Sequence, residues 1–259
     1  MRASVGLIKI LKGSGVETIF ALSGNQIMPL FDACLDEGIR VVHVRHEAAA
    51  LYMAEAHARI TGGMGVAMVT AGAGLCNAIA PLFTATQSQT PVLLLSGDSE
   101  ASLDNMGSFQ EMDQVQITSA VTKFSRRICQ TSELEGAMNA AIEAVTTGTS
   151  GPVHLALAAD MLTNELEDLP QFEKQALSTN TEPSEASAGF VEALKSSQRP
   201  LIIVGPSLCM PHHAAMLRVL ETRLGVPVVP MDSPRGLNDP RLGNFKSLAR
   251  LADLIIPVG

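Results

Sequence analysis

Two strand-to-helix turns fall within residues 44–77, and together they restrict what the chain can fold into. A strand-prone run at 39–44 passes through Arg45-His46-Glu47 into a helix over 47–60, rich in alanine (48, 49, 50, 54, 56 and 58) and stopped by Gly62-Gly63. A second run at 65–69 breaks at Thr70-Ala71-Gly72-Ala73-Gly74 and restarts as a helix near Asn77. Strands that alternate with helices form parallel sheets, and ligands bind at the carboxyl ends of those strands. One of these turns carries an acid, the other glycines.

The same alternation continues on both sides. A short helix over 5–12 stops at Gly13 and Gly15, and a strand at 18–22 turns at Ser23-Gly24-Asn25. A helix then runs from about 27 to 35, with Pro29 tolerable only in its first turn. Residues 91–96 are nearly all apolar, as a strand covered on both faces should be. A polar loop over 98–116, a helix over 133–146 and a strand over 152–158 follow, giving a doubly wound α/β sheet in a first domain of residues 1–163. Residues 164–186, polar with two prolines, read as a linker. Residues 187–259 read as a partial second α/β, Rossmann-like domain, with strands at 199–205, 227–231 and 254–259 and a helix at 214–224. Ending on an apolar strand leaves a sheet edge exposed, so a truncation or a split-subunit boundary is expected at residue 259.

Composition narrows the function classes. A net charge of -8, with no cluster of Lys and Arg, argues against a nucleic-acid surface. No apolar run reaches membrane-spanning length, so no membrane partner is expected. The first residues lack the apolar core of a signal peptide, and Cys34, Cys76, Cys129 and Cys209 are scattered without paired spacing, which fits a reducing cytoplasm.

Each candidate residue also has a plain structural reading. An acid in the first turn of a helix, such as Glu47, can simply complement the helix dipole. Here Ala48, Ala49, Ala50 and Leu51 would desolvate it and favour the neutral acid, while the dipole, Arg45 and His46 favour the carboxylate. A buried acid at a ligand-binding turn is a candidate proton shuttle. Gly72-Ala73-Gly74 with Asn77 falls short of a dinucleotide fingerprint, and a tight turn is the simpler reading. Gly24 has the same ambiguity, and no phosphate-binding Gly-Lys-Ser/Thr follows either turn. Taken alone, Phe109-Gln110-Glu111 is a solvated loop. His212-His213 lacks partners at ligand spacing, so no metal site is assigned; His43, His46, His57 and His154 read as structural.

Together, Arg45-His46-Glu47-Ala48-Ala49-Ala50, the run from Gly65 through Gly74 with Asn77, residues 107–111, Thr122-Lys123 and Gly151-Pro152-Val153 resemble thiamine-diphosphate-dependent enzymes. Among these the chain is most similar to the acetolactate synthase and benzaldehyde lyase group, in order over all 259 residues. The resemblance implies a thiamine-diphosphate-binding fold, with residues 1–163 the pyrimidine-binding domain and 187–259 the first half of the central domain. It implies that Glu47 hydrogen-bonds the pyrimidine nitrogen and activates the cofactor. Gly24, Asn25, Thr70, Gly72, Gly74 and Asn77 would line the cofactor, and Phe109 and Gln110 would act beside Glu47, facing the substrate. Ser23 stands where the family often has Pro, and Ala73 where synthases usually have Pro.

The implied reaction is carboligation or decarboxylation of a 2-oxo acid, or benzaldehyde lyase-type cleavage or ligation of 2-hydroxy ketones. Magnesium would be held by a diphosphate domain that these residues do not include. Some synthases bind a flavin in the central domain, so FAD is admitted, although residues 187–259 carry no flavin signature. The family's site forms between subunits, implying a homodimer or homotetramer, and the small side chains after Glu47 suit a helix buried in such an interface. A non-catalytic or split subunit needing a separate diphosphate-binding chain, and a generic nucleotide-binding α/β protein, are the alternatives from other classes.

Overall fold

The computed structural model describes residues 1–168, 185–233, 236 and 238–259. The chain divides into two compact units, Met1–Lys174 and Gln175–Gly259. Most of the stretch expected as a linker, residues 169–184, lies outside the described residues. Its first residues are tied to the amino terminus: the Ala3 N–H donates to the Asn164 carbonyl at 2.9 Å, and the Leu166 N–H to the Met1 carbonyl at 2.8 Å.

The first unit holds six strands: β1 (Thr18–Ala21), β2 (Arg40–His43), β3 (Gly65–Val69), β4 (Val92–Asp98), β5 (Phe124–Ile128) and β6 (Val153–Ala158). They pair in parallel in the order β2-β1-β3-β4-β6-β5. Every residue of β3, β4 and β6 is buried, as interior parallel strands require. Alternate side chains feed two cores. Val66, Met68, Leu93 and Leu95 enter one, and Ala67, Val69, Leu94 and Val92 enter the other. The first core is completed by α1 (Ala3–Gly13), α2 (Met28–Glu37), α6 (Leu134–Thr146) and α7 (Ala159–Thr163); the second by α3 (Glu47–Thr61) and α4 (Ala73–Gln87). A short helix, α5 (Gln114–Ser119), leads into β5.

Sequence reading differs from this fold at several places in the first unit, among them the short helix α7. α4 begins at Ala73, four residues before Asn77, because Gly72 turns the chain with φ 60° and serves as the N-cap. Strand β5 and helix α5 were not anticipated. Phe124 and Ile128 are the only apolar residues of β5, whose Ser125, Arg126 and Arg127 suit a sheet edge but hide the strand pattern.

The Thr122-Lys123 and Gly151-Pro152-Val153 motifs serve the fold. Lys123 Nζ donates to the Ala144 and Thr147 carbonyls at 2.5 and 2.8 Å, at the end of α6, while its stem lies where a Cβ on Gly151 would come within 3.0 Å. Between β4 and β6, the buried His154 bonds through Nε2 to Ser96 Oγ (2.8 Å) and through Nδ1 to Thr118 Oγ1 and Ser125 Oγ (2.9 Å each). Burial pushes its pKa down to about 3, so the ring is neutral.

The second unit contains a three-stranded parallel sheet in the order β8-β7-β9, from β7 (Pro200–Val204), β8 (Val228–Pro230) and β9 (Leu254–Val258). Helix α9 (Ala214–Leu224) matches its expected span; α8 (Glu185–Ser196) and α10 (Phe245–Leu251) were not anticipated. The rings of His212 and His213 meet edge to face at 4.0 Å. Among the described residues no helix is long and apolar enough to cross a membrane, and no group of three His, Cys, Asp or Glu is arranged to hold a metal ion.

Candidate active site

The chain leaves β1 towards β2 on one side and returns to β3 on the other, so the crevice at the carboxyl ends of β1 and β3 is a topological switch point. Most of the expected residues meet there. Gly24 follows β1 and lies so close to Thr70, which follows β3, that any Cβ would collide with the Thr70 side chain. This glycine lets the two turns touch.

Glu47 opens α3, where His46 is the N-cap and its Nδ1 accepts the Ala48 N–H at 3.1 Å. Its side chain is 8 % exposed. Oε2 accepts a hydrogen bond from Asn77 Nδ2 at 2.9 Å. Asn77 can reach it because Gly72 starts α4 early enough to put Asn77 within the helix. The other oxygen, Oε1, is 3.4 Å from where a Cβ on Gly74 would lie, and that Cβ would also come within 2.7 Å of Thr70 Cγ2. A glycine at 74 therefore keeps the space beside the acid open, and Oε1 accepts no hydrogen bond among the described residues.

A second polar row crosses the crevice. Thr70 Oγ1 donates to Gln26 Oε1 at 2.5 Å, and Gln26 Nε2 donates to Gln110 Oε1 at 3.0 Å. Gln110 adopts φ 64°, and a Cβ on Gly72 would lie 2.8 Å from its Cβ, so residues 70, 72 and 110 are locked together. Phe109 is 79 % exposed and, with Asn25, Gln26, Ser99, Glu100, Leu103, Ser108 and Ala159, lines a cavity of about 340 Å³. Gly24, Glu47, Thr70, Gly72, Gly74, Asn77 and Gln110 are thus brought together. Asn25 and Phe109 lie to one side, facing this cavity.

Sequence reading missed Gln26, which joins the β1 turn to the loop, and Gly97. A Cβ on Gly97 would lie 2.6 Å from Gln26 Cβ, so this glycine seats the glutamine. A glutamine beside a turn carries no signal of its own; only its bonds to Thr70 and Gln110 reveal it.

An acid at a helix start, a glycine turn opposite it and an amide row thus meet in a switch-point crevice, the place where open α/β sheets bind ligands. Residues 1–117 match the family described as "Thiamine pyrophosphate enzyme, N-terminal TPP binding domain". Residues 1–117 are therefore a domain of the thiamine-diphosphate-dependent enzyme family. Among its relatives, 2-hydroxyacyl-CoA lyase 2 of Bos taurus is 32 % identical over 291 residues, covering 96 % of this chain and 46 % of its own length. A probable acetolactate synthase of Mycobacterium bovis is 31 % identical over 268 residues, covering 100 % of this chain and 49 % of its own length. The acetolactate synthase large subunit of Lactococcus lactis is 30 % identical over 231 residues, covering 86 % and 40 %. The chain spans about half the length of the curated relatives it matches.

Proposed function

We propose that residues 1–163 form the pyrimidine-binding domain, and 187–259 the first part of the central domain, of a thiamine-diphosphate enzyme that joins or cleaves carbon–carbon bonds next to a carbonyl. The observation that carries this reading is the buried Glu47 held through Oε2 by Asn77, with Oε1 turned to the space that Gly74 leaves open. That geometry fits an acid that exchanges a proton with a weakly basic ring nitrogen. Thiamine diphosphate supplies a carbon nucleophile and an electron sink for a carbonyl substrate. Glu47 holds and moves the proton at Oε1, Asn77 fixes the plane of its carboxyl group, and Gly24, Thr70, Gly72 and Gly74 shape the adjoining wall. Gln110 and Phe109, with Asn25, face the substrate side, where Gln26 aligns Gln110. Magnesium and the diphosphate are bound outside these residues, and flavin stays an unassigned option for the central domain.

The substrate is a 2-oxo acid, as the acetolactate synthase relatives suggest. Cleavage or ligation of a 2-hydroxy carbonyl compound is the second reading, favoured by the 32 % identity to 2-hydroxyacyl-CoA lyase 2, against 31 % to the acetolactate synthase. A second copy of the chain is the partner, in a homodimer or homotetramer. Supporting this, α3 and α4 expose the large apolar side chains Tyr52, Met53, Ile60 and Phe83. The four cysteines form no disulfide among the described residues, which suits a cytoplasmic setting. Replacement of Glu47 by Gln tests the reading: turnover by the assembled enzyme should fall by about 100-fold or more, the usual scale for a lost proton-transfer group. Rates close to wild type would refute the role of Glu47.

A further inference from the structure

Gln110 and Phe109 sit in a loop, residues 99–113, whose only regular feature is the single turn Ala101–Leu103. Several of its backbone N–H groups donate to carboxylates. Asp160 Oδ1 and Oδ2 accept from Ala101 and Ser102 at 3.0 and 3.2 Å. Glu111 accepts from Asn105, Gly107 and Ser108 at 2.5, 3.0 and 2.9 Å. The Glu111 bonds shape the loop from within, and the Asp160 bonds hold its first turn to α7. Its exposed middle needs another tether.

Arg127, on the edge strand β5, supplies one. Its Nε donates to Asp98 Oδ2 at 2.6 Å, and Nη1 and Nη2 donate to the two oxygens of Asp104 at 2.6 and 2.8 Å. Nη2 also points to the Ser99 carbonyl at 3.4 Å. Asp98 ends β4 and is 2 % exposed, so one end of this pair is fixed in the sheet; Asp104 lies on the exposed loop. A surface ion pair between two mobile chains contributes little. A planar guanidinium bidentate to one carboxylate and anchored on a buried second one is different, because its geometry is set before the loop arrives. Lysine, a point charge, cannot span both.

Gln110 needs such a tether. Its backbone is in the left-handed region, which a non-glycine residue keeps only when its surroundings hold it there. Next to Arg127's anchor, Gly97 seats Gln26, the hydrogen-bond partner of Gln110. The end of β4 therefore supports both partners of the Gln26–Gln110 contact, one through Gly97 and the other through Asp98, Arg127 and Asp104.

We propose that Arg127 is a positioning residue of the site: by tying Asp104 to Asp98 it holds the loop so that Gln110 stays against Gly72 and bonded to Gln26. This rests on reading Gln110 as substrate-facing. The test uses Asp104→Asn, which leaves the buried Asp98–Arg127 pair intact, with Arg127→Lys as the second variant and Asp104→Glu as the conservative control. Hydrogen exchange on the full chain should show residues 103–110 exchanging about tenfold faster in the first two variants, the scale of a lost charge-assisted hydrogen bond, with β3 and β4 unchanged. In the assembled enzyme, KM for the carbonyl substrate should rise by a similar factor with kcat changed less, and Asp104→Glu should restore both readouts. Unchanged loop exchange, acceleration spread equally over the sheet, or loop-specific acceleration with unaltered KM would each overturn the proposal. Glu47→Gln, measured in parallel, separates the two ideas. If it retains turnover, the functional reading fails while loop exchange still judges the tether.

Discussion

Glu47 and Gln110 both pack on the turn at residues 72–74, but they are held by different means. Glu47 is the first residue of a fifteen-residue helix that packs so closely on β3 that a Cβ on Gly65 would strike the Ala54 carbonyl. Gln110 belongs to a loop whose order comes from Asp160, Glu111, Asp104 and Asp98 bonding to backbone N–H groups and to one arginine. The acid therefore inherits its position from backbone packing, which neither pH nor salt readily changes. The amide depends on charges, which both can change. Under the proposed function both supports are suitable: a proton-transfer group must be placed to within a few tenths of an ångström, whereas a substrate-facing group benefits from a support that can be tuned.

Gly65→Ala should break the rigid side with the largest effect on stability. The new methyl meets a carbonyl in the backbone of α3, which cannot give way locally, and the expected loss is about 3 kcal/mol, the upper part of the usual range for overpacking. Denaturant unfolding checks it; an unchanged midpoint would mean that α3 is not fixed by this contact.

Acid sharpens the comparison on the loop side. His154 ties β4 to α5 and β5, the elements that flank the loop, and its folded pKa of about 3 lies below the ordinary 6.5. The unfolded chain takes up a proton there that the folded chain refuses. The stability is complete above pH 6.5 and declines as pH falls towards 3, with a slope approaching about 1.4 kcal/mol per unit. His154→Gln should flatten that slope between pH 6.5 and 5. The loop carboxylates act at lower pH. Hydrogen bonds from Ala101, Ser102 and Met161 hold the Asp160 carboxyl below its usual value against its partial burial, and the Arg127 guanidinium does the same for Asp104. Their contribution persists to below pH 4 and then disappears as they protonate, so loop amides should lose exchange protection there while β3 amides keep it.

The smallest effect is expected at Phe109. With 79 % of its surface exposed, Phe109→Ala should change stability by no more than about 0.5 kcal/mol. Under the proposed function it should still raise KM for the substrate; a stability loss above that figure would mean the ring is packed rather than presented.

The contrast also explains what could be read from the sequence. The acid end rests on regular elements with strong patterns: fully buried β3 and β4, an alanine helix and glycines at the turns, so Glu47, Thr70, Gly72, Gly74 and Asn77 could be named as candidates. The position of Asn77 was less so, because the early start of α4 depends on the backbone angle of Gly72. The loop end rests on polar residues whose partners lie far away in sequence. Arg127 is 29 residues from Asp98, and Gln26 is 84 from Gln110. Strand β5 was hidden for the same reason, since the arginine that ties the loop interrupts its apolar pattern.

Under the proposed function Glu47 handles the proton that activates the coenzyme. The most direct measurement is the exchange of the thiazolium proton of thiamine diphosphate for deuterium on the assembled enzyme, followed by NMR, with Glu47 and with Glu47→Gln. Exchange should be slower by about 100-fold or more in the variant, with the coenzyme still bound. Equal exchange rates in the two proteins would contradict it.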